Sequence, residues 1–124
     1  MLKEKNLILR KLFDYHVKNS REGRTNAYLQ YLYRSRNHYM INILIASYDF
    51  AGAGVSYEEI CKLLDHQFAS RTTILNILDQ GVQDEFLIKK IDTNDHRKQN
   101  YQLHSISEKI ISDWLDNHPF HNEN

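Results

Sequence analysis

The amino-acid sequence predicts a mainly α-helical fold with one small β-hairpin. Apolar residues recur at helical spacing along most of the chain, and the spacing changes to that of extended strands only over residues 87–103. With 124 residues, 41% of them apolar and 26% charged, the chain is long enough to bury a core and too apolar to be disordered. We therefore expect a single domain over residues 1–124.

The N-terminal part of the chain predicts helices. Residues 3–18 form an amphipathic pattern, and the polar segment at residues 19–23 is expected to end this first helix. Residues 25–50 predict either two helices, capped by Thr25 and Ser35, or one long helix, because neither Gly nor Pro interrupts them.

Two further helices, separated by a short turn, follow in the sequence. Ser56 and Glu59 form a capping box at the start of a short helix that is expected to end near Asp65. Ser70 is a favourable cap for the next helix, expected over about residues 70–84. The apolar residues of this second helix fall on one stripe, which leaves an outward face of hydrogen-bonding side chains.

A β-hairpin and a last helix complete the chain. Strands are expected at residues 87–91 and 99–103, joined by a basic loop that is rich in turn-forming residues. Ser105 and Glu108 form a second capping box, which predicts a helix that ends before Pro119.

This order of elements is that of a helix-turn-helix with a wing, assigned to residues 35–104. The first helix of such a motif supports the second, whose polar face enters the major groove of double-stranded DNA. The hairpin reaches the phosphate backbone or the minor groove beside it. The DNA-contacting side chains predicted on this basis are those of Arg71, Thr72, Thr73, Asn76, Lys89, Lys90, Arg97 and Lys98.

The charge distribution is compatible with a small basic face. The chain has 16 basic and 16 acidic side chains, and a net charge of zero argues against a protein that coats nucleic acid without sequence preference. Residues 1–48 carry nine bases and three acids, whereas residues 49–124 carry seven bases and thirteen acids. Four of those seven bases lie in the hairpin, where phosphate contacts would be needed.

The sequence resembles the MarR-type winged-helix transcriptional regulators over about residues 35–115. The wing pattern of that family is matched by Asp95, Arg97 and Leu103, and residues 70–79 follow the register of its recognition helix. The resemblance implies that Arg97 enters the minor groove and that Asp95 positions it. Two residues therefore join the predicted DNA contacts: Ser70 and Asp95.

The resemblance also implies a homodimer and a small-molecule effector. The dimer would be built by the N-terminal helices, at residues 1–34, and by the C-terminal helix and tail, at residues 105–124. Regulators of this type often respond to small aromatic ligands or to oxidants, and the effector of this chain is left unassigned.

Several positions depart from the family pattern. Gly81 stands where the family has Leu, and Glu85-Phe86 stand where it has a Gly ahead of the first wing strand. The spacing there is also about one residue longer than in the family, which predicts a kinked or extended end of the recognition helix. His104 replaces a Thr, which moves the expected helix cap to Ser105.

We therefore predict a sequence-specific, double-stranded-DNA-binding transcriptional regulator. The recognition helix, about residues 70–84, would lie in the major groove, and the wing, about residues 87–103, on the backbone or in the minor groove. The alternative is a winged-helix module that binds proteins and has lost DNA binding. The polar helix face would then be an ordinary solvated surface, and Asp95 and Arg97 an ion pair that stiffens the hairpin.

Other functional classes are not expected from this sequence. The serines lie at helix caps and no glycine-rich phosphate loop occurs, so we predict no catalytic site. The histidines are scattered, so we predict no metal site and no cofactor, and Cys61 is expected to be a quiet, half-buried thiol. Without an apolar signal core or membrane-spanning run, we expect a cytoplasmic protein with no membrane partner.

Overall fold

The computed structural model describes residues 2–65, 68–91, 94–95 and 98–119. In this part of the chain helices surround one small antiparallel sheet, which confirms the predicted mainly α fold. The elements in chain order are α1 (Leu2–Gly23), α2 (Ala27–Leu32), α3 (Arg36–Phe50), β1 (Val55–Ser56), α4 (Tyr57–Leu63), α5 (Arg71–Gln83), β2 (Leu87–Ile91), β3 (Gln99–Leu103) and α6 (Ser105–Asp116). None of the helices in these segments combines the length and the apolar character that crossing a membrane requires.

Helix α1 continues through the polar segment at residues 19–23 that was expected to end it, so that prediction was wrong. Asn19 is buried one helical turn after the buried Tyr15, and this shared face packs the end of α1 onto the body of the protein. The Tyr15 hydroxyl donates a hydrogen bond to the carbonyl of Trp114 in α6, at 3.3 Å. Tertiary packing therefore outweighs the weak helix preference of this segment.

The next segment forms two helices, α2 and α3, rather than one long helix. Asn26, and not Thr25, caps α2, because its side-chain oxygen accepts a hydrogen bond from the Leu29 amide at 3.1 Å. Ser35 caps α3 as predicted, and its hydroxyl oxygen accepts from the His38 amide at 3.2 Å.

The helix-turn-helix consists of α4 and α5, and both helices begin at the predicted caps. The Ser56 hydroxyl accepts a hydrogen bond from the Glu59 amide, and the Ser70 hydroxyl accepts one from the Thr73 amide, both at 3.1 Å. Helix α4 ends at Leu63, slightly before its predicted end.

Helix α5 is continuous and ends at Gln83, close to its predicted end, so the kinked or extended end that was predicted for it is not observed in this segment. A β-carbon on Gly81 would lie 2.6 Å from both the hydroxyl oxygen of Tyr31 and Cδ1 of Leu87. Glycine at this position therefore lets α5 approach its neighbours without bending. The chain turns into β2 through Glu85, whose φ of 63° lies in the left-handed region.

The hairpin strands β2 and β3 have the predicted bounds. They pair antiparallel, with Leu87 opposite Leu103 and Ile91 opposite Gln99. The sheet has a third strand, β1, which the sequence analysis missed because it is only two residues long. The strand order is β1-β3-β2, so the predicted hairpin is part of a three-stranded sheet.

The last helix, α6, is capped by His104 and not by Ser105, which is its first helical residue. The His104 ring nitrogen Nδ1 accepts a hydrogen bond from the Ile106 amide at 3.4 Å. The His104 amide is itself bonded to the carbonyl of Phe86, so this residue is still tied to the sheet and the helix starts after it. The helix ends before Pro119, as predicted.

The core is aromatic where α2 meets α5 and the turn into β2. The buried rings of Tyr28 and Tyr31 lie 5.5 and 5.0 Å from the ring of Phe86, measured between centroids. The Tyr28 hydroxyl donates to the side-chain oxygen of Asn42 at 3.2 Å, and the Tyr31 hydroxyl donates to the carbonyl of Ile77 at 2.8 Å. These contacts fix α5 against α2 and α3, and so hold its outer face in place.

Candidate nucleic-acid interface

The N-terminal half of α5 presents a polar outward face. The side chains of Thr72 and Asn76 are exposed and make no hydrogen bond to other residues that the structure describes. Ser70 and Thr73 are engaged with each other, since the Ser70 hydroxyl donates to the Thr73 hydroxyl oxygen at 3.0 Å in addition to capping the helix. Two of the predicted contact residues are therefore available to a ligand, and two also serve the helix cap.

Arg71, the first residue of α5, is held by the first turn of α4. Its two terminal nitrogens donate to the two carboxylate oxygens of Glu58, each at 3.1 Å. Its guanidinium carbon lies 5.8 Å from the centre of the Tyr57 ring, and the Tyr57 hydroxyl donates to the Arg71 carbonyl at 3.2 Å. These hydrogen bonds and the opposite charges raise the pKa of Arg71 and lower the pKa of Glu58, so both groups are ionised at neutral pH.

The two lysines of β2 lie on opposite faces of the sheet, because side chains alternate along a strand. The ammonium group of Lys89 lies 6.0 Å from the centre of the Tyr101 ring, on the face that packs against the helices. Lys90 is exposed on the other face. The structure therefore brings Lys89 to the side on which α5 packs, and does not bring Lys90 there.

The hairpin loop meets the helix-turn-helix at a shallow groove. Lys98 and Asp95 line this groove, of about 380 Å³, together with Tyr57 and Glu58 from α4. The groove thus joins the wing to the residues that hold Arg71. Arg97, the wing residue predicted to enter the minor groove, lies outside the described residues.

Tyr57 and Glu58 border the candidate interface, and the sequence analysis did not identify them. The pattern at residues 56–59 indicated only a helix cap. The sequence did contain a signal for this contact. Glu58 lies in the first turn of the supporting helix, and Arg71 follows it by thirteen residues, at the start of the next helix.

The resulting surface has mixed charge. The exposed bases Arg71 and Lys98 line one groove together with the acid Glu58, and Asp79 is a further exposed acid on α5. Burial is the main cause of the raised pKa of the Tyr101 phenol, and the nearby charge of Asp79 raises that pKa further. An α-helix with a polar face of this kind fits the DNA major groove, which is about 12 Å wide.

The described residues provide no metal-binding group of three or more His, Cys, Asp or Glu side chains. Cys61 is a half-buried free thiol beside Tyr57. Burial, and then the neighbouring Cys61, raise the pKa of the Tyr57 phenol, so the ring that backs Arg71 stays neutral.

No protein-family model matches the chain, and no curated protein matches it. Solved structures do match. A S. aureus MepR–DNA complex is 16% identical over 88% of this chain and 81% of that one, with a TM-score of 0.60. S. aureus MepR bound to ethidium bromide is 19% identical over 79% and 68%, with a TM-score of 0.55.

A mutant of MarR from E. coli is similar in fold as well. It is 16% identical over 87% of this chain and 73% of that one, with a TM-score of 0.54. At these identities the likeness shows the fold, and the winged helix-turn-helix that the sequence predicted is confirmed.

Proposed function

We propose that this protein is a transcriptional regulator that binds double-stranded DNA. Helix α5 would lie in the major groove, and the hairpin of β2 and β3 on the phosphate backbone or in the minor groove. The observation that carries the proposal is the exposed polar face of α5, which includes Thr72 and Asn76, in a fold that MepR shares and in which MepR is seen in complex with DNA.

The side chains divide into two groups by the chemistry that they offer. The unengaged side chains of Thr72 and Asn76 would read base edges, and Asn is suited to the paired donor and acceptor of adenine. Lys89 and Lys98 would contact phosphates, which fix register and carry no sequence information. The remaining proposed contacts are Ser70, Arg71 and Thr73 at the start of α5, Asp95 and Arg97 in the wing, and Lys90 on the outer face of the sheet.

We also propose that the protein is a homodimer built from α1 and α6, within residues 1–34 and 105–124. Leu2, Leu9 and Phe13 in α1 are 83%, 64% and 59% exposed and fall on one face of the helix, which leaves a long apolar surface uncovered in one copy of the chain. A second copy related by a two-fold axis would cover it, because such an interface presents the same patch twice. Two recognition helices would then meet DNA about one helical turn apart.

The small-molecule effector implied by the resemblance stays a prediction. The candidate binding site is a groove of about 380 Å³ between α1, α2 and α6. Asn19, Leu29 and Trp114 line this groove and offer it polar, apolar and aromatic contacts. Ligand-dependent release of DNA would be the assay.

The experiment that tests DNA binding is selection of duplexes from a random library, followed by fluorescence anisotropy on a selected and a scrambled duplex at several salt concentrations. We expect the selected duplex to bind more tightly than the scrambled one by about a thousandfold or more. Binding that does not distinguish the two duplexes would contradict a sequence-specific regulator.

A protein-binding module is the second candidate, and the mixed charge of the interface favours it. Glu58 neutralises Arg71, and Asp79 lies exposed on α5, so the surface is less basic than most DNA-binding surfaces. This candidate predicts that no duplex is enriched in the selection.

A further inference from the structure

We propose that Glu58 is a positioning residue that presents Arg71 to a guanine base in the major groove, an inference that rests on the proposed function. The pair would make one G·C base pair of the target site a determinant of specificity. Tyr57 would support the pair through the contact of its ring with the guanidinium group of Arg71.

The geometry fixes the guanidinium of Arg71 at one end and leaves its other edge outside the ion pair. A guanidinium has five N–H donors. The Glu58 carboxylate accepts one hydrogen bond from each terminal nitrogen, at 3.1 Å, in a bidentate arrangement. Three N–H groups remain outside this pair, and they include the Nε–H of the edge that runs along the side chain.

That remaining edge suits guanine. Guanine presents the acceptors O6 and N7 side by side in the major groove, and a bidentate arginine is the commonest specific contact to them. A phosphate could also accept from Arg71, and the two partners differ in outcome: a phosphate contact supports binding to every duplex, whereas a base contact supports only the duplex that carries that base.

Two further contacts restrict Arg71 from α4. The Tyr57 ring lies 5.8 Å from the guanidinium carbon, and the Tyr57 hydroxyl bonds to the Arg71 carbonyl at 3.2 Å. Both side chains of the ion pair nevertheless stay accessible, with 63% of Arg71 and 72% of Glu58 exposed. The pair is therefore ordered by its neighbours and still open to DNA.

The position of the pair agrees with a role at the DNA. Arg71 is the first residue of α5, and the N-terminal residues of a recognition helix are the ones that contact base edges. The groove beside Glu58 is bordered by Lys98 from the wing, so the pair lies between the two elements that would touch DNA.

The test compares Glu58→Gln with Glu59→Gln, each measured by anisotropy on the selected and scrambled duplexes. Glu59 lies in the same helical turn and borders the same groove, but its carboxylate accepts from the Tyr48 hydroxyl at 3.2 Å. Its variant therefore makes the same charge change at a carboxylate that is not paired with Arg71. We expect Glu58→Gln to lower the ratio of selected to scrambled affinity by roughly fivefold or more, the discrimination that one bidentate base contact provides. Glu59→Gln should leave this ratio unchanged.

A double-mutant cycle with Arg71→Ala tests whether Glu58 acts through Arg71. In the Arg71→Ala background, Glu58→Gln should cause no further loss of discrimination. The lost preference should map to one G·C base pair when single positions of the selected duplex are changed. Circular dichroism of each variant checks that the fold is retained.

Each other outcome contradicts the proposal. If Glu58→Gln tightens binding to both duplexes and steepens the salt dependence by about one phosphate, Glu58 withholds Arg71 from DNA and does not position it. If discrimination is unchanged, the pair has no role in recognition. If the wild-type protein selects no duplex, the proposed function fails first, and this result is distinguishable from the other two.

Discussion

The Tyr31 hydroxyl donates a hydrogen bond to the carbonyl of Ile77 at 2.8 Å, between residues 46 positions apart in the sequence. Tyr31 is 1% exposed and belongs to α2, whereas Ile77 lies in the middle of α5. This single contact joins the N-terminal helices to the proposed recognition helix. It therefore links the stability of the domain to the placement of the surface that would meet DNA.

Replacing Tyr31 by Phe should destabilise the protein by about 1 kcal/mol, because a buried hydrogen bond is lost while the aromatic packing is kept. Urea denaturation followed by circular dichroism measures this change. Tyr39→Phe is the matched control, since the described residues provide no hydrogen bond to the hydroxyl of that half-buried side chain. Equal stabilities of the two variants would show that the Tyr31 contact contributes nothing.

Gly81→Ala should destabilise the protein by roughly 1–3 kcal/mol, the usual cost of an overfilled core. The added β-carbon would lie 2.6 Å from the Tyr31 hydroxyl and from Cδ1 of Leu87, so α5 or its neighbours must shift. Thermal unfolding measures the effect. The general helix preference of Ala over Gly predicts the opposite sign, so a stabilised variant would show that the space is available.

Asp49 should make the stability depend on pH. Burial, and then the neighbouring Glu108 carboxyl group, raise the pKa of Asp49 to about 6. A carboxyl group whose pKa is higher in the folded state stabilises the fold when protonated, so this contribution is present below about pH 4 and is lost as the pH rises through 6.

Asp49→Asn should therefore stabilise the protein at pH 7, because a neutral amide replaces a disfavoured carboxylate. The gain should be on the order of 1 kcal/mol, since part of the side chain stays in contact with water. The advantage over the wild type should disappear near pH 4. Urea denaturation at pH 4, 5.5 and 7 measures it, and Asp113→Asn, in the same helix as Glu108, is the charge-matched control. A pH-independent difference would contradict the assignment.

Most local features of the fold could be predicted from sequence, although the caps expected at Thr25 and Ser105 were wrong by one residue. The features that depend on tertiary contacts could not be predicted. The caps at Ser35, Ser56 and Ser70 were correct because a capping side chain bonds to an amide three residues away. The continuation of α1 to Gly23 was missed because it depends on burial of Asn19 against the rest of the protein.

The same division applies to the candidate interface. Residue types and helical spacing placed Thr72 and Asn76 on the outer face of α5, as the structure has them. The ion pair between Arg71 and Glu58 crosses from one helix to the next, and only the packing of α4 on α5 brings the two side chains together. Lys89 and Lys90 lie on opposite faces of the sheet because side chains alternate along a strand. The two lysines should therefore not have been predicted as equivalent DNA contacts.

The proposed dimer predicts that a charge in the apolar face of α1 separates the two copies. Phe13→Asp should be a monomer at micromolar concentration by sedimentation velocity, because burying an unpaired carboxylate in an apolar interface is unfavourable. Ser47→Asp, which adds the same charge to an exposed position of α3, should remain a dimer. A wild-type protein that sediments as a monomer would contradict the dimer itself.

The proposed division between helix and wing makes opposite predictions for two substitutions. Asn76→Ala should reduce the preference for the selected duplex by about 1–3 kcal/mol and leave binding to the scrambled duplex nearly unchanged, because Asn76 would read a base edge. Arg97→Ala should weaken binding to both duplexes and reduce the salt slope by about one phosphate per subunit.

These outcomes separate the two roles because phosphates are the same in every sequence and base edges are not. Asp95→Ala should resemble a weaker form of Arg97→Ala, since the proposed role of Asp95 is to orient that arginine. Lys109→Ala, an exposed base of α6 outside the proposed DNA contacts, is the control for loss of one positive charge, and sedimentation velocity checks that this variant keeps the oligomeric state of the wild type. If Asn76→Ala, Arg97→Ala and Asp95→Ala all leave affinity and preference unchanged, these surfaces do not bind DNA. The protein-binding module then replaces the regulator as the function of this winged helix.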